Sequence, residues 1–345
     1  MRRRGLLGEL SHWQLDAVRR SSVLGAGLFV GIAIVVVGTH VGRGNLGQVL
    51  DVLRGVQPGW VLLAGVGFGA ALLCSAAAWG VGLRACGGGA GFTQVAARCA
   101  IGSLVNSVAP AHLGGAVRVG LLSRTLPGSD PVWRTCGVGA AVAVARAVAL
   151  ALLVLGAAAV GRIPLWPAPL LLVGMVGVTA VGVQLSKRVA GHVGSLLQTF
   201  RNQVRSPRKG LDLFAWIACS FTARLAATVA VVAAFGIRHP LSVAVVLLAA
   251  IALAGVVPLT PGNIGAGAGA ATLALHGTGV GVDVALALGI AFQTIETCAG
   301  MMLGVAGAAV VSAPGTRMRR WSFAMAGAAA VLVAASVGIA SVDLV

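Results

Sequence analysis

Acidic residues are scarce in this sequence, with eight Asp and Glu against 25 Lys and Arg in 345 residues. The acids are scattered along the chain, and the sequence contains neither a His-Glu-x-x-His motif nor two neighbouring carboxylates. It therefore offers no recognisable general base or metal site, and we predict that the protein is not an enzyme and uses no cofactor. A nucleotide-binding motif is also missing, which argues against ATP hydrolysis by this chain.

Neither the cysteines nor the charged residues indicate a soluble domain. The six cysteines form no Cys-x-x-Cys pair and mostly lie in apolar runs, where cysteine behaves as a small hydrophobic residue. Charged residues make up 10% of the chain and hydrophobic residues 58%, a balance that predicts an integral membrane protein. The net charge is +17, and the Lys and Arg residues lie between apolar runs. This placement favours membrane lipids with anionic headgroups over nucleic acid as the partner.

Seven apolar runs are long enough to cross a bilayer, which takes about 20 residues. They lie at residues 22–40, 59–81, 132–160, 165–185, 211–236, 282–312 and 321–341. Two further runs, 92–126 and 240–278, are interrupted by Pro and Gly, and each has room for two half-depth helices. We therefore predict an all-α polytopic membrane protein with about seven full transmembrane helices and two re-entrant helical hairpins. A basic cytoplasmic tail, 1–21, precedes a single transmembrane domain, 22–345.

The basic residues predict the orientation of these spans. With the N-terminus inside and both hairpins returning to the side they enter, 17 of the 25 Lys and Arg lie in cytoplasmic segments and four lie outside. The positive-inside rule expects this asymmetry, and it places the chain in the cytoplasmic membrane with its C-terminus outside. The two hairpins then enter from opposite sides, as an inverted repeat would require. The basic loop 186–210 is either a helix on anionic lipid or a solvated linker.

Four arginines, Arg98, Arg118, Arg146 and Arg224, remain at membrane depth, and Glu296 lies at the centre of its span. A charge at a helix centre costs about 2.5–3.5 kcal/mol on insertion scales. Arg98 is close enough to a helix end to reach the interface, but Arg146 and Arg224 are not. These groups form either a structural ion pair with Glu296 or the lining of a cavity for an anionic headgroup, and we favour the cavity.

The first interrupted run contains "SLVNSVAPAHLGGAVR". Pro110 is expected to end the inbound half-helix, and Gly114 and Gly115 to allow the tight return. The next half-helix then begins inside the membrane with free N–H groups, and Arg118 adds a positive charge one turn later. Asn106 and His112 in this run are either hydrogen-bonding groups for a ligand or local backbone caps.

The second interrupted run contains "PLTPGNIGAGAGA" and has the same design. Pro258 and Pro261 break the helix, while Gly262, Asn263 and Gly265 form the turn. The small residues of the helix that follows also suit close packing against another helix, which is the competing use of these glycines.

The two motifs resemble those of the lysylphosphatidylglycerol synthase transmembrane family, N-x-x-x-P-x-x-x-G-[EG]-x-x-R and P-x-T-P-G-G-x-G-x-x-E. The first is matched by Asn106, Pro110, Gly114 and Arg118, and the second by Pro258, Thr260, Pro261, Gly262 and Gly265. Three positions depart from the pattern. Gly115 stands where Glu is common, Asn263 replaces a glycine, and Ala268 replaces a glutamate. A counter-charge on the second hairpin would then have to come from Glu296.

The resemblance implies a lipid flippase, here as a stand-alone member without the aminoacyl-transferase domain that some relatives carry. Together with the buried charges, it predicts a transporter that moves an anionic phospholipid or a lipid-linked headgroup across the membrane. The candidate binding residues are Arg118, Arg146, Arg224, Glu296, Asn106, His112 and Asn263. The alternatives are an accessory subunit that scaffolds cell-envelope lipid or glycan synthesis enzymes, and an intramembrane lipid-modifying enzyme.

Overall fold

A computed structural model describes residues 55–108, 113–159, 207–254, 264–275 and 279–312. Every regular element in these ranges is an α-helix, and there are eight. They are α1 Pro58–Ala85, α2 Phe92–Val108, α3 Leu113–Ser123, α4 Pro131–Ala159, α5 Pro207–Ala234, α6 Pro240–Ala254, α7 Ile264–Leu275 and α8 Val282–Val311. The basic tail 1–21, the predicted spans 22–40, 165–185 and 321–341, and most of the loop 186–210 lie outside the described residues.

Four of these helices are long and apolar enough to cross a membrane: α1, α4, α5 and α8, with 28, 29, 28 and 30 residues. This confirms the predicted spans 59–81, 132–160, 211–236 and 282–312 to within a few residues. Proline opens α1, α4 and α5, where its missing N–H costs nothing because the first N–H groups of a helix have no intrahelical partner. The all-helical fold class is thereby confirmed for the described part of the chain.

Each interrupted run forms two short helices, as predicted. Helices α2 and α3, the first short pair, have 17 and 11 residues, and α6 and α7, the second short pair, have 15 and 12. Helices α3, α6 and α7 are shorter than the roughly 17–25 residues of a full crossing, and α2 is at the lower limit of that range. The breaks themselves, residues 109–112 and 255–263, lie outside the described residues. They contain the predicted breakers and turn residues Pro110, Pro258, Pro261, Gly262 and Asn263, and the candidate binding residue His112.

The order long, short, short, long occurs twice, in α1–α4 and in α5–α8. The first helices of the two sets pack against each other in opposite directions. At one end of this contact the Gln57 N–H donates to the Ala234 carbonyl at 3.3 Å, and nearer its middle Ser220 Oγ donates to the Ala71 carbonyl at 2.7 Å. Helices α1 and α5 therefore run antiparallel, which is the relation expected for the first helices of an inverted repeat.

The two short pairs pack at opposite ends of the α1–α5 contact. One hydrophobic core, the first-pair core, joins the later part of α1 and the early part of α5 to the first short pair, and includes Trp79, Leu83, Val95, Leu122, Val138 and Ile217. The other, the second-pair core, joins the early part of α1 and the later part of α5 to the second short pair, and includes Phe68, Val231, Leu247, Leu275, Leu288 and Phe292. Each half of the molecule thus completes its own core with helices from the other half.

Both ends of the first interrupted segment lie at the same end of the helix bundle. Arg134, in the first turn of α4, donates hydrogen bonds to the Pro127 carbonyl at 2.8 Å and to the Cys86 carbonyl. Pro127 follows α3, and Cys86 directly follows α1 and precedes α2. One arginine therefore ties together the entry and the exit of the first short pair.

Glycine allows close approach where α8 crosses α2. A Cβ atom added to Gly304 would lie 2.5 Å from Leu104 Cβ and 2.8 Å from the Ala100 carbonyl oxygen, and one added to Gly307 would lie 2.5 Å from the Ala97 carbonyl oxygen. Lipid-exposed helices associate mainly through such close contacts, because the surrounding tails are as apolar as the side chains. This crossing fixes the last helix of the second half against the first short pair.

Candidate functional site

The charged residues lie where the two cores meet. On α5, Arg224 follows Ile217 of the first-pair core and precedes Ala227 of the second-pair core. Arg146 lies near the middle of α4, at a helical distance of about 20 Å from either end. Arg224 and Arg146 therefore lie near the middle of their helices and not at the ends.

Arg224 forms an ion pair with Glu296 of α8. Its Nη2 atom is 2.8 Å from one carboxylate oxygen and 2.9 Å from the other, and the two side chains keep 34% and 25% of their surface accessible. The Arg224 guanidinium also stands over the Phe292 ring at 5.8 Å, and Phe292 packs edge-to-face on Phe68 at 5.0 Å. The aromatic pair orients Arg224 from one side through a cation–π contact, while Glu296 neutralises its charge.

Arg118 lies in the first short pair and contacts a neutral partner. Its Nη2 atom donates to Ser103 Oγ on α2 at 3.1 Å. Its Nε atom is buried and has no hydrogen-bond partner among the described residues. The α2 backbone approaches closely here because residue 102 is glycine, and a Cβ atom at Gly102 would lie 2.9 Å from Arg118 Cβ. The guanidinium is thus held against α2 with part of its donor capacity unused.

Arg146 reaches from α4 to α1, where its Nη2 atom donates to the hydroxyl of the buried Ser75. It lies within electrostatic range of Arg118, Arg224 and Glu296, so the four charged groups form one cluster. Arg146 is exposed although it lies near the middle of α4.

Asn106 acts as a backbone cap in this structure. Its Oδ1 atom accepts a hydrogen bond from the Gly114 N–H at 2.9 Å, which satisfies a donor in the first turn of α3. Gly114 is required here because a Cβ atom would overlap the Gly102 carbonyl oxygen and the Asn106 side chain. Gly115 has open space around its added Cβ atom, so crowding does not demand glycine there. Both glycines lie within α3 and not in the turn before it.

The second short pair reaches Glu296 through the packing of α7 on α8. Gly267 faces Gln293, and Gly289 faces Ala268, so the two helices run antiparallel. One turn further along α8, Glu296 is level with the first residue of α7. Ala268 is buried against Gly289, which leaves no room there for a longer side chain. Glu296 is therefore the carboxylate nearest to the start of α7 among the described residues, and its charge is shared with Arg224.

The structure brings together four of the predicted site residues, Arg118, Arg146, Arg224 and Glu296. Arg98 stands apart and bonds to Gln94 Oε1 at 2.9 Å, one turn earlier on its own helix. Gly265 lies in the first turn of α7, and Asn263 and His112 fall outside the described residues.

Sequence reasoning missed the neutral partners of the cluster. Ser75 and Ser103 accept the hydrogen bonds of the two unneutralised arginines, and Phe292 supports the third. Ser75 sits in a run of small residues that gave no signal. A usable signal existed on α8, because Phe292 and Gln293 precede Glu296 by one turn and share its face of the helix.

An apolar cavity of about 750 Å³ lies elsewhere on the described helices, between the early part of α1, the end of α5 and α8. It is lined by Val61, Leu62, Val66, Val231, Phe235 and Met302, among others, and by none of the charged cluster. Because its wall is almost entirely apolar, it has no means of recognising a charged group. The arginine cluster is therefore the candidate site.

The sequence matches the family described as the lysylphosphatidylglycerol synthase TM region over residues 23–304. The chain belongs to this family. The match contains α1 to α7 entire and most of α8, so the charged cluster lies wholly within the family region. No curated protein matches the chain. Membership of the lysylphosphatidylglycerol synthase TM region family identifies a multi-pass membrane protein with a lipid-related function.

Proposed function

We propose that this protein is a lipid flippase that moves an anionic phospholipid or a lipid-linked headgroup across the cytoplasmic membrane. The observation that carries the proposal is that Arg146 of α4 lies within electrostatic range of Arg118 on α3, of Arg224 on α5 and of a single carboxylate, Glu296, which pairs with Arg224. Charge held at this depth is costly unless something negative balances it. A passing headgroup would supply the negative charge that the described residues lack.

The proposed path uses both short pairs as re-entrant hairpins, the first entering from the cytoplasm and the second from outside. The shared location of Cys86 and Pro127 at one end of the bundle supports a first segment that returns to its side of entry. The packing of the two short pairs at opposite ends of α1 and α5 supports entry from opposite sides. Each hairpin then covers one half of the route, and the charged cluster lies between them.

In this mechanism the headgroup leaves one leaflet, meets the guanidinium groups at mid-depth and continues to the other leaflet while the acyl tails remain in the bilayer. Arg118 and Arg146 contact it as hydrogen-bond donors, because both hold only a serine hydroxyl in the described structure. Arg224 contributes less charge, since Glu296 already neutralises it. The protein moves its substrate without chemical change, and the partners of the proposal are anionic membrane lipids.

The experiment measures lipid movement in liposomes that contain the purified protein and a trace of a fluorescent anionic phospholipid. Dithionite bleaches only the outer leaflet, so bleaching beyond about half reports transfer. We expect Arg146→Gln to lower the transfer rate at least tenfold, because it removes an unneutralised charge from the route, and Arg224→Gln to lower it by a smaller factor, because Glu296 already neutralises Arg224. Arg98→Gln is the matched control, since Arg98 bonds within its own helix, and it should stay within twofold of the wild type.

Unchanged transfer in both cluster variants, each shown to be monodisperse after purification, would overturn the proposal. No transfer by the wild type, together with copurification of a cell-envelope synthesis enzyme in fixed ratio, would favour the scaffold function. The Arg224–Glu296 pair would then be a structural contact only.

A further inference from the structure

The charge in the cluster is unevenly balanced. Three arginines contribute three positive charges and Glu296 one negative charge, which leaves two positive charges. The negative charge of Glu296 neutralises Arg224, whose Nη2 atom lies within 3 Å of both carboxylate oxygens. The surplus therefore belongs to Arg118 and Arg146.

These two arginines also keep most of their hydrogen-bonding capacity. A guanidinium carries five N–H donors, and the described structure gives each of the two a single serine hydroxyl from one Nη2 atom. The Nε atom of Arg118 is buried without a hydrogen-bond partner among the described residues, as is the Nε atom of Arg224. A buried donor without a partner is costly, so the cluster calls for an acceptor.

The two guanidinium groups act on one part of α2. Buried Cys99, one turn before Ser103, lies within electrostatic range of both Arg118 and Arg146. Arg146 lies near the middle of α4 and Arg118 near the middle of α3, so the two approach this place from different helices. Together with Ser103 and Ser75, they define a site that we call the two-arginine seat.

We propose that the two-arginine seat binds a terminal phosphate, the phosphomonoester or diphosphate headgroup of a lipid, in preference to a phosphodiester headgroup. A phosphomonoester carries about −1.5 to −2 charges at pH 7 and three acceptor oxygens. A phosphodiester carries one charge and only two non-bridging oxygens. Two guanidinium groups can donate to more acceptor oxygens than a phosphodiester has. The charge of the phosphomonoester also matches the two surplus positive charges of the cluster. The inference rests on the proposed function and narrows its substrate class.

The transport test compares two fluorescent lipids in the same liposomes, phosphatidic acid with its phosphomonoester and phosphatidylglycerol with its phosphodiester. We expect the wild type to move phosphatidic acid at least tenfold faster. Arg118→Gln and Arg146→Gln should remove this preference, Arg146→Lys should retain part of it, and Arg98→Gln should leave it unchanged. Equal rates for the two lipids in the wild type would overturn the inference while leaving the flippase function intact.

A binding test separates the seat from transport. Native mass spectrometry of the detergent-purified protein, offered equal amounts of both lipids, should show retention of phosphatidic acid at pH 7.5 and its loss in the Arg118→Gln/Arg146→Gln double variant. Retention should fall at pH 5, because the second phosphate proton binds near pH 6. Selective retention without transport would overturn the flippase function and support the seat. Equal retention of both lipids would contradict the seat.

Inorganic pyrophosphate distinguishes a lipid from a free anion of the same chemistry. We expect phosphatidic acid to stay bound in about 0.1 mM pyrophosphate, because a site that binds free phosphate only weakly is mostly empty at this concentration. Displacement of the lipid at this concentration would assign the seat to a soluble phosphate compound and would overturn its assignment to a lipid headgroup.

Discussion

The two halves of the molecule share a backbone plan and differ in their chemistry. Both run long, short, short, long, and their first helices pack antiparallel. The first half holds Arg118 and Arg146, whose described partners are neutral hydroxyls, whereas the second half holds Arg224 beside its own carboxylate. An inverted repeat can therefore keep its packing while the charge is concentrated in one half. The first half provides the unneutralised charge, and the second provides a closed ion pair beside it.

The largest expected effect comes from Gly114 in the first turn of α3. Gly114→Ala should lower the free energy of unfolding by about 3 kcal/mol or more, because the new Cβ overlaps a backbone carbonyl that cannot move aside. The measurement is thermal unfolding in detergent, followed by tryptophan fluorescence. Gly115→Ala is the control, since its Cβ points into open space, and it should be close to neutral. Equal destabilisation by both variants would contradict the described packing.

The second-largest expected effect comes from breaking the Arg224–Glu296 ion pair of the second half. Glu296→Gln should cost about 3 kcal/mol, the lower end of the range for breaking a buried pair, because a third of Arg224 stays accessible. Adding Arg224→Gln should recover most of this loss, since the double variant leaves neither member of this pair as an unpaired charge. Apparent unfolding temperatures of the two single variants and the double variant complete the cycle. If the losses simply add, the pair is not coupled.

A smaller effect is expected at a close contact of the second half, between α7 and α8. Gly267→Ala places a Cβ against the end of the Gln293 side chain, which can rotate, and not against backbone. We expect a loss of about 1 kcal/mol, below that of Gly114→Ala. Gly269→Ala, with open space at its Cβ, is the control and should change stability little. A larger loss for Gly267→Ala than for Gly114→Ala would reverse the proposed difference between the halves.

Local patterns were sufficient to predict the framework. The lengths of the apolar runs predicted the four long helices, and proline and glycine predicted that two runs would each divide into two short helices. The depth of Arg146, Arg224 and Glu296 followed from counting residues along those helices. These predictions depend on neighbours within a few turns of the same helix, which a sequence displays directly.

The partners of the cluster depended on contacts between helices that are distant in sequence. The hydrogen bond from Arg146 to Ser75 joins residues 71 positions apart, and the Arg224–Glu296 bond spans 72. Such contacts depend on the rotation and the vertical offset of each helix, which a periodic pattern of small apolar residues does not determine. For the same reason the sequence predicted a turn role for Gly114, while the structure gives it a role in close packing against Gly102.

The tight contact between α1 and α5 limits the routes open to a substrate. A Cβ atom added to Gly67 would lie 2.9 Å from Ala227 Cβ, and the Cys74 and Cys219 sulfur atoms lie 3.3 Å apart further along the same contact. At this spacing, neither a row of water molecules nor a lipid tail fits between the two helices. Any passage through the described helices must therefore run along one side of the α1–α5 contact. Arg146, hydrogen-bonded to Ser75, lies on the side where a charged headgroup would bind.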